Sequence, residues 1–128
     1  AGFIGDGNFI EGRVDGAGRD GVRVGTPYGV IDAARVPTGI AAGDKVVLCV
    51  RPEAVSFGQP PAGGGSLIRG AFQESVYLGE MAQHTIALEA DGAAMCFKAF
   101  EMNPAAGRER AGERVEVWVD PEQVIVTR

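Results

Sequence analysis

The sequence predicts an all-β protein, with OB-fold-like barrels built from two related halves. Three observations carry this. The phrase GDKVVLCVRPEAV (43–55) returns as GERVEVWVDPEQV (112–124), sixty-nine residues later and without a gap. Apolar residues in short runs alternate at period two, the signature of half-buried strands. Turn-rich segments such as VDGAGRDG, GTPYG and EADG separate the runs, as expected of a barrel or sandwich of short strands.

Taken in order, the candidate strands of the first half are 9–14, 21–24, 28–32 and 45–50. The stretch PPAGGGS (60–66) continues neither strand nor helix and divides the chain. After it come candidate strands 67–78, 83–89, 95–100, 114–119 and 123–127. The expected organisation is a first half over 1–58, a Pro/Gly linker over 59–66, and a second half over 67–128. A half of this size is marginal alone, so the halves should share a core or exchange strands. The segment NPAAGRERAGE (103–113) reads as a polar loop with room for one helical turn. A fainter echo, Phe3-Ile4-Gly5-Asp6 against Tyr77-Leu78-Gly79-Glu80, supports duplication.

Within the repeated phrase, Gly43 and Gly112 open each copy and an acid-base pair follows. Val46/Val115, Leu48/Val117 and Val50/Val119 then recur on one face. Pro52-Glu53 and Pro121-Glu122 end each strand, because proline supplies no N–H to a ladder and holds the preceding residue extended. Glu53 and Glu122 suit a shared local task, accepting backbone N–H bonds where the chain turns. Arg51 and Asp120 hold the same place with opposite charge. The common fold therefore requires neither charge, and a contact beyond the repeat is the alternative to a solvated strand end.

At 128 residues and 13.3 kDa the chain can bury about two thirds of its unfolded surface. Gly and Pro together make up roughly a fifth of it, below the share typical of disorder. A net charge of −5 without a basic stripe argues against a nucleic-acid partner. Cys49 and Cys96 sit in apolar runs with no C-x-x-C, which predicts buried reduced thiols in a cytosolic protein. No apolar run is long enough for a membrane span, and the start AGFIGDGNF reads as a piece of something longer.

Chemistry-bearing patterns are sparse. Gly43-Asp44-Lys45 lacks the glycine spacing and hydroxyl of a phosphate loop. One histidine and two cysteines offer no metal-ligand spacing. His84 alternates with Ile86 and Leu88, as a core or rim residue would. Ser56, Ser66 and Ser75 have no G-x-S-x-G setting and no histidine close in sequence. Asp15 and Asp20 fall in glycine-rich segments read as turns. Trp118 takes the place of Cys49 in the repeat, on the face opposite Val117, where it either plugs a barrel end or contacts a partner.

Together, GDGNFIEGRV (5–14), VVLCVRPEAV (46–55), VYLGEMAQHTIAL (76–88) and VDPEQVIV (119–126) resemble the C-terminal transport-associated OB domain of the ATP-binding subunit of bacterial ABC importers. The wording is most similar to the spermidine/putrescine type, with ferric-iron and sugar importers close behind. On the resemblance, Asn8, Gly12, Pro52, Glu53, Gly79, Pro121 and Glu122 are motif residues with structural roles. Arg51, Trp118 and Asp120 are candidate partner contacts. The resemblance implies a regulatory and dimerisation domain with no catalytic residue, cofactor or metal of its own. ATP and magnesium would belong to an ATPase domain preceding residue 1. The implied partners are that domain, a second copy of the subunit and the transporter's membrane subunits, at the cytoplasmic face of the membrane. A rival reading is a small oxyanion-binding domain, since Asn8 to Val14 also resembles the N-x-L-x-G-x-V of molybdate-binding modules. Gly5-Asp6-Gly7 departs from the serine and arginine expected there, and Asp6 would repel an oxyanion.

Overall fold

A computed structural model describes residues 7–62, 64–90, 92–104 and 111–128. The first half contains β1 (Asn8–Gly18), β2 (Gly21–Thr26), β3 (Gly29–Ala33), β4 (Lys45–Val50) and β5 (Val55–Phe57). The second contains β6 (Ser66–Leu78), β7 (Met81–Ala90), β8 (Ala93–Met102), β9 (Arg114–Val119) and β10 (Val124–Thr127). Short 3₁₀ turns, Pro52–Ala54 and Pro121–Gln123, join β4 to β5 and β9 to β10. The repeated phrase is thus a strand, a proline-initiated turn and a further strand. Proline suits the start of such a turn because its missing N–H is not needed there.

Two antiparallel sheets result, in the orders β10-β4-β1-β2-β3 and β5-β9-β6-β7-β8. The second order is the first with each element replaced by its counterpart, except that the halves trade their last strand. Val55 to Phe57 pair with β9, and Val124 to Thr127 pair with β4. Each sheet curls until β5 approaches β8 and β10 approaches β3, which covers edges that would otherwise template aggregation. One apolar cluster draws residues from both halves, among them Ile10, Leu48, Ile68, Phe97 and Val119.

The long strands are bent at matched places. β1 pairs with β4 as far as Arg13 and with β2 from Arg13 onward, while β6 passes from β9 to β7 at Ala71. A bulge follows in each, between Val14 and Gly16 and between Phe72 and Glu74. Val14 N donates to Asp44 O at 2.9 Å and Phe72 N to Glu113 O at 2.8 Å, so the acid of each repeated phrase anchors its bulge through the backbone.

The segment VDGAGRDG corrects the sequence reading. β1 runs on through Gly18, so Asp15 lies in the strand's bulge and only Asp20 lies in the turn. A bulge carries an unpaired residue, which breaks the alternation that marks a strand in sequence. β5 escapes sequence reading because three residues are too few to show a period. Phe3 to Asp6 and most of the 103–113 loop fall outside the described residues. The β6–β7 hairpin at Gly79-Glu80 corresponds topologically to Arg19-Asp20. Gly79 there has φ +67° with open space around it, so conformation rather than crowding calls for glycine.

Candidate functional site

The halves are clasped to one another by two buried polar side chains at the starts of β1 and β6. Asn8 Nδ2 donates to Val50 O at 3.0 Å and to Lys98 O at 2.8 Å, and Asn8 Oδ1 accepts from Lys98 N at 2.7 Å. Ser66 Oγ accepts from Asp32 N at 2.8 Å. Lys98 on β8 and Asp32 on β3 are themselves counterparts, one residue past the pairs Ile86–Phe97 and Val24–Ile31. Each side chain thus takes an outward-facing backbone group of an edge strand in the other half. Asn8 therefore has a physical reason to be asparagine, since it both donates and accepts.

The turns after β4 and β9 separate the charged residues singled out from the sequence. Pro52 is buried, while Arg51 and Glu53 are exposed. Asp120 caps its own turn, its Oδ1 accepting from Glu122 N at 3.0 Å, whereas Arg51 makes no such cap. Asp120 therefore has a local task that Arg51 lacks. Among the described residues, the Glu53 and Glu122 carboxylates do not make the backbone N–H bonds expected of them. Ala54 N instead donates to Arg51 O and Gln123 N to Asp120 O, both at 2.9 Å. Arg51 shares a cleft of about 390 Å³ with Arg35 and Glu122.

Sequence reasoning missed a contact at His84. Its ring is fully buried, with Nδ1 2.7 Å from Ser75 Oγ and Nε2 2.8 Å from Glu101 Oε1. Phe57, Phe72 and Tyr77 pack around it at centroid distances of 5.4, 4.8 and 6.5 Å. Ser75 and Ala99 lie opposite His84 on β6 and β8, a juxtaposition that strand register alone creates. The ring is sealed in the core, so the hydroxyl and carboxylate satisfy its two nitrogens. Counting back from the matched pairs Val14–Val24 and Phe72–Ile86 puts Val22 where His84 lies. The first half fills that position with a buried apolar side chain. His84→Ala should cost about 2 kcal/mol, the combined loss of volume and of a buried hydrogen-bond partner, measurable by urea unfolding.

The outer faces of the sheets carry apolar side chains. Phe9, Cys49 and Ile125 lie abreast across β1, β4 and β10, and Leu67, Trp118 and Ser56 occupy the matching row on the other sheet. Val117 and Val119 point into the core, so half-buried Trp118 lies on the outside and plugs neither barrel. Cys49 is half-buried and Cys96 exposed, which corrects the expectation of buried thiols. Both occupy outward positions of strands whose other face fills the core. At the far end of the second sheet, Val76, Leu78 and Met102 are 44, 51 and 63% exposed, and Met81 and Phe100 adjoin them in register.

Arg23 and Asp32 form an exposed pair at 2.9 Å between β2 and β3. The hydrogen bond to Asp32, and then that residue's charge, raise the guanidinium above its ordinary value. No group of three or more His, Cys, Asp or Glu side chains suited to a metal occurs among the described residues. No helix among them is long and apolar enough to cross a membrane.

Two curled five-stranded sheets that trade their final strands and share one core define the class, a double OB-type barrel. The chain belongs to the TOBE domain family, whose model matches residues 48–126. Among curated proteins it is similar to spermidine/putrescine import ATP-binding proteins PotA. The protein from Frankia alni is 38% identical over 97 residues, covering 68% of this chain and 21% of that one. The protein from Ruegeria pomeroyi is 33% identical over 128 residues, covering all of this chain and 33% of the relative. The chain thus spans a third or less of the length of these relatives. Among solved structures it is similar to the cytoplasmic molybdate-binding protein ModG with molybdate bound, with a TM-score of 0.74, 17% identity and 94% of each chain covered. At that identity the likeness concerns the fold.

Proposed function

We propose that this chain is the regulatory and dimerisation domain of the ATP-binding subunit of an ABC importer of the polyamine type. It would act at the cytoplasmic face of the membrane, joined to an ATPase domain that carries ATP and magnesium. Family membership supports this reading, and the observation that carries it is the outward apolar surface. Leu78, Met81 and Met102 lie abreast across three strands with Val76 and Phe100 beside them, and contiguous exposed apolar side chains are what an interaction surface presents. A contact that differs between open and closed ATPase pairs shifts their balance by about 1–3 kcal/mol without any chemistry in this domain. In sedimentation the 128-residue chain should self-associate weakly, and the double variant Leu78→Glu, Met102→Glu should abolish this while the fold persists. A strictly monomeric wild-type profile at the highest soluble concentration would sink the reading.

Arg51 remains the candidate contact of this scheme, together with Trp118. Arg51 is exposed and its side chain makes no hydrogen bond among the described residues, so Arg51→Ala should change stability by less than about 0.5 kcal/mol while weakening subunit pairing or transport in the longer protein. A variant that melts early, or that pairs and transports normally, removes Arg51 from the contact surface. Glu53→Ala is expected to be near neutral in both assays, its carboxylate being exposed.

A second reading, a small oxyanion site, has one observation in its favour: Arg35 and Arg51 line the same cleft. Calorimetric titration with molybdate separates the two. Saturable binding that disappears in Arg51→Ala would favour the second.

A further inference from the structure

The hairpin of β6 and β7 is longer than its counterpart in the first half. β1 and β2 last pair at Gly18–Gly21, the equivalent of Val76–Gln83, whereas β6 and β7 add the rungs Tyr77–Ala82 and Leu78–Met81. β3 ends at Ala33, the counterpart of Ala99, while β8 keeps pace with the hairpin as far as Met102. Both halves fold to the same order of strands, so folding does not demand the extension.

Register sorts the outward side chains of β6, β7 and β8 into rows. Glu74, Thr85 and Lys98 form the first, Val76, Gln83 and Phe100 the next, and Leu78, Met81 and Met102 the last. The last two carry no charge. The first half answers the charged row with Gly16, Arg23 and Asp32, where the two charges are adjacent and satisfy one another at 2.9 Å. In the second half Thr85 stands between Glu74 and Lys98 and holds them two strand spacings, or about 10 Å, apart. Both are exposed, and neither side chain has a hydrogen-bond or ion-pair partner among the described residues. Glu101 faces the other way, onto His84, and Glu80 lies in the hairpin turn beyond the last row.

Each row is complementary to itself read backwards. When two copies pack outer face to outer face about a two-fold axis along β7, β6 of one lies over β8 of the other, as an isologous contact requires. Glu74 then meets Lys98 of the second copy, Val76 meets Phe100 and Leu78 meets Met102. Met81 and Gln83 lie on the axis and meet their own copies, which suits an amide that both donates and accepts. Sheets packed in this way keep their strands within about 30° of one another, so the rows stay opposed across the patch. An anionic lipid surface fits less well, since Glu74 and Glu80 border the patch beside the single Lys98.

We propose that the outer face of β6, β7 and β8 pairs with the same face of a second copy about a two-fold axis along β7, with two identical Glu74–Lys98 ion pairs at its border. The pairing rests on the dimerisation reading and adds to it the face, the axis and the charged contact that fixes the alignment.

The test is sedimentation equilibrium of the 128-residue chain at low ionic strength, where exposed charges are least screened. Glu74→Lys and Lys98→Glu should each weaken pairing about tenfold, because either one turns two attractions into two repulsions. An equimolar mixture of the two variants should pair as wild type does, since each supplies the charge that the other has lost. The double variant Glu74→Lys, Lys98→Glu should do the same on its own. A wild type that pairs while both single variants pair equally well, a mixture and a double variant that both stay weak, or association that grows past the dimer would overturn this arrangement and leave the importer reading standing. A wild type that stays monomeric at the highest soluble concentration would sink both.

Discussion

Gly70→Ala and Gly12→Ala should each destabilise the chain by about 3 kcal/mol, or roughly 10 °C in melting temperature for a domain of this size. The reason is the hand-over of each long strand from one partner to the next. At that point the strand crosses so close to its new neighbour that a Cβ on Gly70 would lie 2.5 Å from Ala87 O, 2.7 Å from Ile86 Cγ2 and 2.9 Å from Leu88 Cδ2. The Gly12 site is blocked by Val24 and the Gly25 carbonyl. A backbone oxygen within a ladder cannot move aside as a flexible side chain can, so relief requires the curled sheet to open. Gly16→Ala is the control. It sits beyond the bulge with nothing within 4 Å of its Cβ, and the substitution should lie within about 0.5 kcal/mol of wild type. Thermal melts of the three variants decide the point, and a Gly12→Ala protein as stable as Gly16→Ala would remove close approach as the reason for the motif glycine.

Asn8→Ala should be nearly as severe, at about 2–3 kcal/mol, because one truncation removes three hydrogen bonds. The protein cannot replace them internally, and desolvated backbone groups left without partners cost more than the bonds contribute when made. Ser66→Ala removes only the bond from Asp32 N and should cost about 1 kcal/mol. Asn8→Asp tests the donor separately, since it keeps an acceptor for Lys98 N but turns a carboxylate toward two carbonyl oxygens. It should be no better than alanine. Urea unfolding of the set measures these differences directly, and equal costs for Asn8→Ala and Ser66→Ala would show that the number of bonds lost does not set the cost.

The strands were legible where their chemistry is local. Lys45–Val50 and Arg114–Val119 have the bounds that alternation and the following proline predict, and His84 is buried as its neighbours Ile86 and Leu88 imply. Period-two alternation records which face meets the core, and proline records where a ladder stops, so both are written residue by residue. The bend at Gly12 was visible only as a motif letter. Its cause, the Gly25 carbonyl, is contributed by another strand.

The pairing of distant residues was decided by tertiary structure. The duplicated phrase determined that two equivalent sheets would form, but not that Val55 to Phe57 and Val124 to Thr127 would each complete the other half's sheet. A sequence repeat is symmetric between pairing at home and pairing across, and only the closing of a shared core chooses between them. Asn8 finds Lys98 ninety residues away, and His84 finds Ser75 and Glu101, by register alone. The same physics separates Arg51 from Asp120. Alike in position and opposite in charge, they look equivalent in sequence, yet only Asp120 bonds within its own turn, because a short carboxylate reaches the N–H two residues on and a guanidinium, which only donates, cannot accept from it.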